Sequence, residues 1–546
     1  MYNNIREEEL KNKVGADWFK HFDTTEILGN IDFTVFPKKQ DILGSEPLLW
    51  AEAKTGNFDT PTMFVQLILT IGKARTFDKT LPPAFLGAFD FNKIAFVPYI
   101  NIQDIFYLND FNWNVAPSNH DTKEFKLIKN RVEAALKNNT NVFDFLKDKK
   151  DLDNFIAILN KWKAKQNSSK PKLVIINTSG GGLRSSNFTT QVIQQLQAQL
   201  PNGIMPKTAF ITGASGGMLG ATYCREIFRR KQKNEFLQGN ANDYTNNISK
   251  DLLNALTSSL VVRDLIAPAQ KFTQSGRSYV KDRAYAFEEN LNNNVGGILG
   301  GTIGEYYHEE KSAQIPLTIF SSTITRDSRK LMLCSQPLSF AMQPWQADSL
   351  QSFVPPDAVD YQGLFKNQNP NDIRILTALR MNATFPYVLP NVWLPTHPVI
   401  DVMDAGLRDN YGTDITLRIL TYCKKWIVAN TSGIVLLQIR DRENSGDWNY
   451  PFELDGLNQL ITRPMLQLQF NQFKTQQFQQ NLQMNEFKQF AGIPLEVIPF
   501  QYTPTSVANR ASLSFHLTPN EMQDINNATK NNFNTASFAR LKEILD

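Results

Sequence analysis

Ser215 stands in the stretch Gly213-Ala214-Ser215-Gly216-Gly217, between an apolar run and a helix-like run. Glycines at such spacing permit φ > 0 or close backbone approach. A strand that turns this sharply into a helix would hold the serine Oγ exposed at the tip of the turn, where it can attack an acyl carbonyl. A glycine-rich strand-to-helix turn with no chemistry would show the same pattern. The serine therefore needs partners: a base, donors for an oxyanion, and a group that orients the base.

Two further stretches offer them. Gly180-Gly181-Gly182-Leu183-Arg184 follows a strand-like run and opens a helix about one strand–helix unit before Ser215. Its backbone N–H groups can turn toward a developing oxyanion, helped by the positive end of the helix, and Gly216 would add the N–H that follows the nucleophile. A phosphate-binding loop is the other use of such glycines, but neither G-x-G-x-x-G nor a G-K-[ST] ending is present. In "VMDAGLRDNYG", Asp404-Ala405-Gly406 follows an apolar approach. A buried carboxylate there can serve serine directly as base, because burial raises its pKa toward neutrality. The five histidines, His21, His120, His308, His397 and His516, lie in no motif. The order Ser215…Asp404…His516 would also suit an α/β-hydrolase triad, but "DAG" has no role there and the glycine loop lies too close to the serine.

In order, "GGGLR", "GASGG" and "DAG" resemble the motifs of the patatin-like phospholipase family, which includes the cytosolic calcium-dependent phospholipases. "PLTIFSSTITRDSRKLML" and "ALRMNATFPYVLP" also look like the strand and helix that precede the family aspartate. The resemblance spans 171–440 and extends toward residue 546. It implies a lipid acyl hydrolase with a Ser-Asp dyad of Ser215 and Asp404, an oxyanion hole from Gly180, Gly181, Gly182 and Gly216, Arg184 holding the loop, and no cofactor. It implies a lipid or membrane-surface substrate.

The N-terminal residues raise a different chemistry. Asp32 falls on one strand-like run, Glu52 and Lys54 on the next, and Gln66 in the following helix. Residues two apart on a strand share a face. Two carboxylates and a lysine converging there can hold Mg²⁺ through Asp32 and Glu52 and act on a phosphodiester. A surface ion pair would give the same E-x-K. This arrangement, with "QLILTIGKARTF…PPAFLGAFDFNKIAFVPY", resembles the PD-(D/E)xK restriction-type nuclease domain, although the first motif reads Ile31-Asp32 without a proline. The resemblance implies DNA contact by this region. It also implies an alternative for the whole chain: a nucleic-acid-cleaving or -sensing defence protein whose hydrolase is the effector.

These residues need elements to position them. The length of 546 residues predicts several domains. In 1–115, helical and strand-like runs alternate as a small α/β domain, with Thr60 as cap and Pro61 opening a helix. Residues 116–170 read as a helical connector ending in the linker "KQNSSKPK". In 171–546, apolar runs alternate with helical patterns, which predicts an α/β fold with a mostly parallel sheet flanked by helices. The Gln/Phe-rich stretch 465–490 is expected to be a long helix packed on this domain.

A net charge of +4 neither demands nor excludes a polyanionic partner. Cys224, Cys334 and Cys423 are too few and too scattered for a disulfide framework or zinc site, which fits a reducing, cytoplasmic setting. No apolar leader follows Met1, and no run reaches the ~18 apolar residues of a span. Peripheral contact at the inner membrane surface is therefore expected, through apolar surface near 342–365 or 258–272.

Overall fold

The computed structural model describes residues 2, 5–20, 22–26, 28–37, 47–76, 80–139, 141–144, 149–235, 237, 239–259, 270–343, 356–384, 389–397, 399–443, 457–506 and 509–545; for 137–150, 457–472 and 490 it describes backbone only. The chain divides into two units. The first comprises 1–149 with 347–355 and 396–398; the second holds the remainder.

In the first unit, α1 (Glu7–Trp18) opens with Glu7, Glu8 and Glu9, whose charges suit the positive end of a helix. The chain then runs β1 (Phe22–Asp23), β2 (Phe33–Pro37), β3 (Leu49–Ala53), α2 (Thr60–Ala74), β4 (Phe85–Phe89), β5 (Lys93–Pro98), α3 (Lys123–Asn139) and β6 (Asn141–Asp144). The sheet order follows the sequence from β1 to β6. Only β3 and β4, joined across α2, are parallel neighbours. Met63, Phe64, Leu67, Ile68 and Ile71 of α2 are buried, so this apolar run is a core helix. Asp59, rather than Thr60, caps it, accepting the Thr62 N–H at 3.2 Å.

The expected connector divides between the units. Helix α3 packs on α2 and β6 pairs with β5, so both belong to the first unit. Nearly all of α4 (Lys149–Ala164) belongs to the second. There Phe155 meets Phe210 with ring centroids 6.3 Å apart, and Trp162 Nε1 donates to the Lys207 carbonyl at 3.1 Å.

The second unit continues with β7 (Leu173–Thr178), α5 (Gly182–Gln199), β8 (Thr208–Gly213) and α6 (Ser215–Gln232). Next come α7 (Ala241–Ile248), α8 (Leu253–Ser259), the hairpin β9 (Lys271–Gln274) and β10 (Arg277–Val280), α9 (Arg283–Asn294) and α10 (Tyr307–Lys311). Then follow β11 (Leu317–Ile324), β12 (Lys330–Leu333), β13 (Ala358–Asp360), α11 (Tyr361–Leu364), α12 (Ile375–Asn382), β14 (Val392–Trp393) and β15 (Asp401–Met403). The chain closes with α13 (Gly406–Asp409), α14 (Thr413–Tyr422), α15 (Lys424–Asn430), β16 (Ile434–Arg440), α16 (Leu457–Phe490), β17 (Leu495–Gln501), α17 (Pro519–Ala528) and α18 (Asn532–Leu545).

Among the described residues its sheet has nine strands and runs β13-β12-β11-β8-β7-β16-β17, with β15 also on β11 and β14 on β15. From β11 to β17 the neighbours are parallel. Strands β7, β8, β11 and β16 are buried along their whole length, as a sheet covered on both faces requires. The fold is thus mixed α/β with a mostly parallel sheet flanked by helices, as expected. Among the described residues no helix is long and apolar enough to cross a membrane.

Register explains why the two glycine loops meet. Thr178, the last residue of β7, lies opposite Gly213, the last of β8. Both loops therefore leave the sheet side by side at the carboxyl ends of adjacent strands, where open α/β sheets place their sites. Helices α5 and α6 cross closely because Gly220 lacks a side chain: a Cβ there would lie 2.4 Å from the Ser186 carbonyl oxygen.

Candidate active site

Ser215 is the first residue of α6 and has φ +48, a conformation that costs a non-glycine residue about 1–3 kcal/mol. The surroundings enforce it. The Ala214 N–H donates to the Thr178 carbonyl at 3.1 Å, and Asn382 Nδ2 donates to the carbonyls of Gly213 at 3.1 Å and Ser321 at 3.0 Å. A Cβ at Gly216 would lie 1.8 Å from the Gly182 carbonyl oxygen, so the elbow needs glycine there.

Asp404 follows β15, which pairs with β11 through Thr323 and Met403. Its backbone is fixed on both sides: its N–H donates to the Thr384 carbonyl at 3.1 Å, and Thr323 Oγ1 donates to its carbonyl at 3.0 Å. The carboxylate is buried. Oδ1 accepts the Gly406 N–H at 2.7 Å, while Oδ2 has no hydrogen-bond partner among the described residues. Burial pushes this carboxyl up to about 7, against the opposing pull of the Gly406 N–H and of the Ser215 hydroxyl that faces it. Ser215 is thus close enough to act on the carboxylate electrostatically, though no hydrogen bond within 3.5 Å yet joins them. Such contacts often tighten only around substrate.

The Gly180–Gly182 loop departs from the expected oxyanion arrangement at one position. The Gly180 N–H is taken by the Asn410 carbonyl at 3.1 Å, so it is no free donor. Its glycine character serves close approach instead, since a Cβ would lie 2.5 Å from Asn410 Oδ1. The N–H groups of Gly181, Gly182 and Gly216 make no hydrogen bond among the described residues. Gly181 and Gly182 have φ +147 and +59.

Arg184 is buried beneath the loop. Its Nη2 donates to Asp441 Oδ2 at 2.6 Å and its Nη1 to the Ala511 carbonyl at 2.7 Å. Asp441 also accepts from Ser179 Oγ at 3.1 Å. Burial would raise the Asp441 carboxyl, but Arg442 and Arg184 hold it down at about 2.

A cavity of about 120 Å³ joins these parts, with Gly181, Gly182, Ser215 and Asp404 on its wall. Leu253, Phe473, Leu513 and Phe515 give it an apolar side. A larger cleft of about 590 Å³ lies by α14 and α16, but its guanidiniums are matched by carboxylates, as in Arg418 to Asp357 at 2.6 Å, and among the described residues neither serine nor cysteine lines it.

Helix α16 supplies site residues that sequence reading missed. Gln476 Nε2 donates to the carbonyls of Gly406 and Leu407 at 3.1 and 2.7 Å, and Phe473 lines the cavity. The Gln/Phe composition was the only signal. Asn410 and Arg442 were also unforeseen. His516 stands apart: its Nδ1 lies 2.8 Å from Asp251 Oδ1, and it does not line the cavity.

In the first unit, Lys54 Nζ lies 2.7 Å from Glu52 Oε1 and 3.7 Å from Asp32 Oδ2. Lys11 of α1, not foreseen, lies 3.7 Å from Asp32 Oδ1 and 3.1 Å from Glu7. Burial and then the Asp32 charge push the Glu52 carboxyl up to about 7, against the pull of Lys54. Gln66 is not tied to this cluster; its Nε2 lies 3.3 Å from His120 Nε2. Among the described residues no group of three or more His, Cys, Asp or Glu side chains is placed to hold a metal.

No family model matches the chain, and no curated protein matches it in sequence. Among solved structures, the chain is similar to human GIVD cytosolic phospholipase A2 in complex with methyl gamma-linolenyl fluorophosphonate, at 13% identity and a TM-score of 0.36. That match covers 72% of this chain and 63% of the phospholipase, just under two thirds of its length. It is also similar to VipD from Legionella pneumophila, at 12% identity and a TM-score of 0.29, covering 68% of this chain and 67% of that one.

Proposed function

We propose that the second unit is a serine acyl hydrolase of patatin type acting on lipid esters. The observation that carries the reading is the pairing of Ser215, held at φ +48, with a buried Asp404 whose carboxyl titrates near 7 and whose Oδ2 has no hydrogen-bond partner among the described residues. Asp404 takes the hydroxyl proton as Ser215 Oγ attacks the ester carbonyl. The N–H groups of Gly181, Gly182 and Gly216 stabilise the oxyanion. Asp404 returns the proton to the leaving alcohol, and water then hydrolyses the acyl-serine by the same route. The apolar wall of Phe473, Leu513 and Phe515 would take the acyl chain.

Contact with lipid would be peripheral. Most of 258–272 and half of 342–365 lie outside the described residues, and within the second stretch Tyr361 and Phe365 are buried rather than exposed. The test is hydrolysis of phospholipid, triglyceride and p-nitrophenyl esters by the full chain and by Ser215→Ala. Loss of all activity in the variant is expected; turnover at the wild-type rate would overturn the assignment.

A second reading concerns the first unit. Glu52, Lys54 and Asp32 converge, and the Glu52 carboxyl is raised in part by Asp32, so a cation between the two carboxylates would relieve their repulsion. Two carboxylates suit Mg²⁺, which keeps several of its waters. The ion would neutralise charge at a phosphodiester, with Lys54 beside it. The chain would then be a nucleic-acid-responsive defence protein with the acyl hydrolase as effector. Supporting results are salt-dependent DNA binding and cleavage lost in EDTA and in Lys54→Ala but kept in Ser215→Ala. Absence of both binding and cleavage would reduce the cluster to a structural ion pair.

A further inference from the structure

The only cationic side chain among the described residues of the Ser215 cavity wall is Arg442, just beyond β16. Its guanidinium is half used. Nε lies 3.2 Å and Nη2 3.1 Å from the Asp441 carboxylate, while Nη1 has no partner among the described residues. The side chain is 29% exposed. Arg184, the other arginine by the loop, does not line the cavity: it is 6% exposed and its two terminal nitrogens are fixed by Asp441 and the Ala511 carbonyl.

The local charge does not cancel. Asp441 is a single carboxylate held between the Arg184 and Arg442 guanidiniums, with buried Arg440 near it as well, and of these arginines Arg442 is the one on the cavity wall. Its position is set by the oxyanion loop, because Asp441 packs where a Cβ of Gly181 would lie 2.5 Å from its own Cβ. The remaining wall is apolar or neutral, apart from the base Asp404. Apolar surface, a nucleophile and one unsatisfied guanidinium fit an ester that carries an anion near its scissile carbonyl. Guanidinium is the side chain best matched to phosphate oxygens.

We infer that Arg442 is a specificity-determining residue that takes the phosphate of a glycerophospholipid, so that the cavity favours phospholipids over neutral acylglycerols. This rests on the acyl-hydrolase reading above. The test compares the full chain with Arg442→Gln and Arg442→Lys on three substrates: phosphatidylglycerol in mixed micelles, diacylglycerol of the same acyl chains, and a p-nitrophenyl ester. In the wild type kcat/KM should favour phosphatidylglycerol. In Arg442→Gln the phosphatidylglycerol-to-diacylglycerol ratio should fall tenfold or more, and Arg442→Lys should recover part of it. A thermal melt like that of the wild type would show that the variant folds.

An equal fall on all substrates would assign Arg442 to holding Asp441 and the loop, and would overturn the proposal. So would a ratio that does not change. Inorganic phosphate is the third arm. If it inhibits p-nitrophenyl ester hydrolysis in the wild type through Arg442 while phosphatidylglycerol is not preferred, the site binds free anion and the lipid assignment fails. Wild-type protein that cleaves none of the three esters would instead overturn the acyl-hydrolase reading itself.

Discussion

Gln476 holds Asn410: its Oε1 accepts the Asn410 N–H at 3.2 Å while its Nε2 donates to the carbonyls of Gly406 and Leu407. One amide thus satisfies the C-terminal side of α13, a single turn whose carbonyls would otherwise be orphaned, while Asp404 Oδ1 takes the Gly406 N–H at its start. Asn410 in turn receives the Gly180 N–H on its carbonyl, so α16, the aspartate loop and the oxyanion loop form one chain of contacts.

Gln476→Ala should therefore lower kcat without abolishing it. Two donor bonds and one acceptor bond are lost, each worth about 0.5–1.5 kcal/mol net. A fall in kcat of roughly tenfold with a smaller change in KM is expected. Gln476→Glu keeps the acceptor but not the donors and should fall between. Steady-state kinetics beside a thermal melt checks this; a wild-type kcat in both variants would assign Gln476 to packing alone.

Hydrolysis should follow the titration of Asp404. Only its charged form accepts the serine proton, so kcat/KM should rise through pH about 7 and level off above it. The folded carboxyl sits above its unfolded value, so the native state binds more protons in between, and stability falls as pH rises over this window. Asp404→Asn should be inactive, and at pH 8 more stable than the wild type by up to about 4 kcal/mol, with little difference at pH 4. His516→Ala, whose ring pairs with Asp251 and does not line the cavity, should keep activity within about twofold of the wild type.

Ser215→Gly and Ser215→Ala should both lose hydrolysis, but they should differ in stability. Glycine adopts φ +48 without the cost that a Cβ brings, whereas alanine retains it. The glycine variant should be the more stable by about 1 kcal/mol, read from urea unfolding. Equal stabilities would mean that the elbow stores no strain.

Arg184→Ala should destabilise the second unit by about 3–5 kcal/mol, because it takes from the buried Asp441 carboxylate one of the two guanidiniums that pair with it. Arg184→Lys keeps the charge but loses the fork that reaches both Asp441 and Ala511, and should recover only part of this. Denaturant titration of both variants measures the difference.

The local rules of the chain were legible before any fold. The apolar run Leu173 to Ile176, and the strand-like stretches that follow the same pattern later in the chain, became buried strands. Glycine placement around Ser215 marked the elbow, since φ > 0 and close approach are properties of single residues. The tertiary structure decided what depends on long-range pairing. It spent the Gly180 N–H on Asn410, 230 positions away in sequence, and brought Gln476 onto the aspartate loop. It assigned α3 and β6 to the first unit, because a lone amphipathic helix carries no record of the sheet it will cover. It also set the Asp404 carboxyl near 7, because a carboxyl's pKa is fixed by the desolvation its neighbours impose, and those neighbours are assembled only by folding.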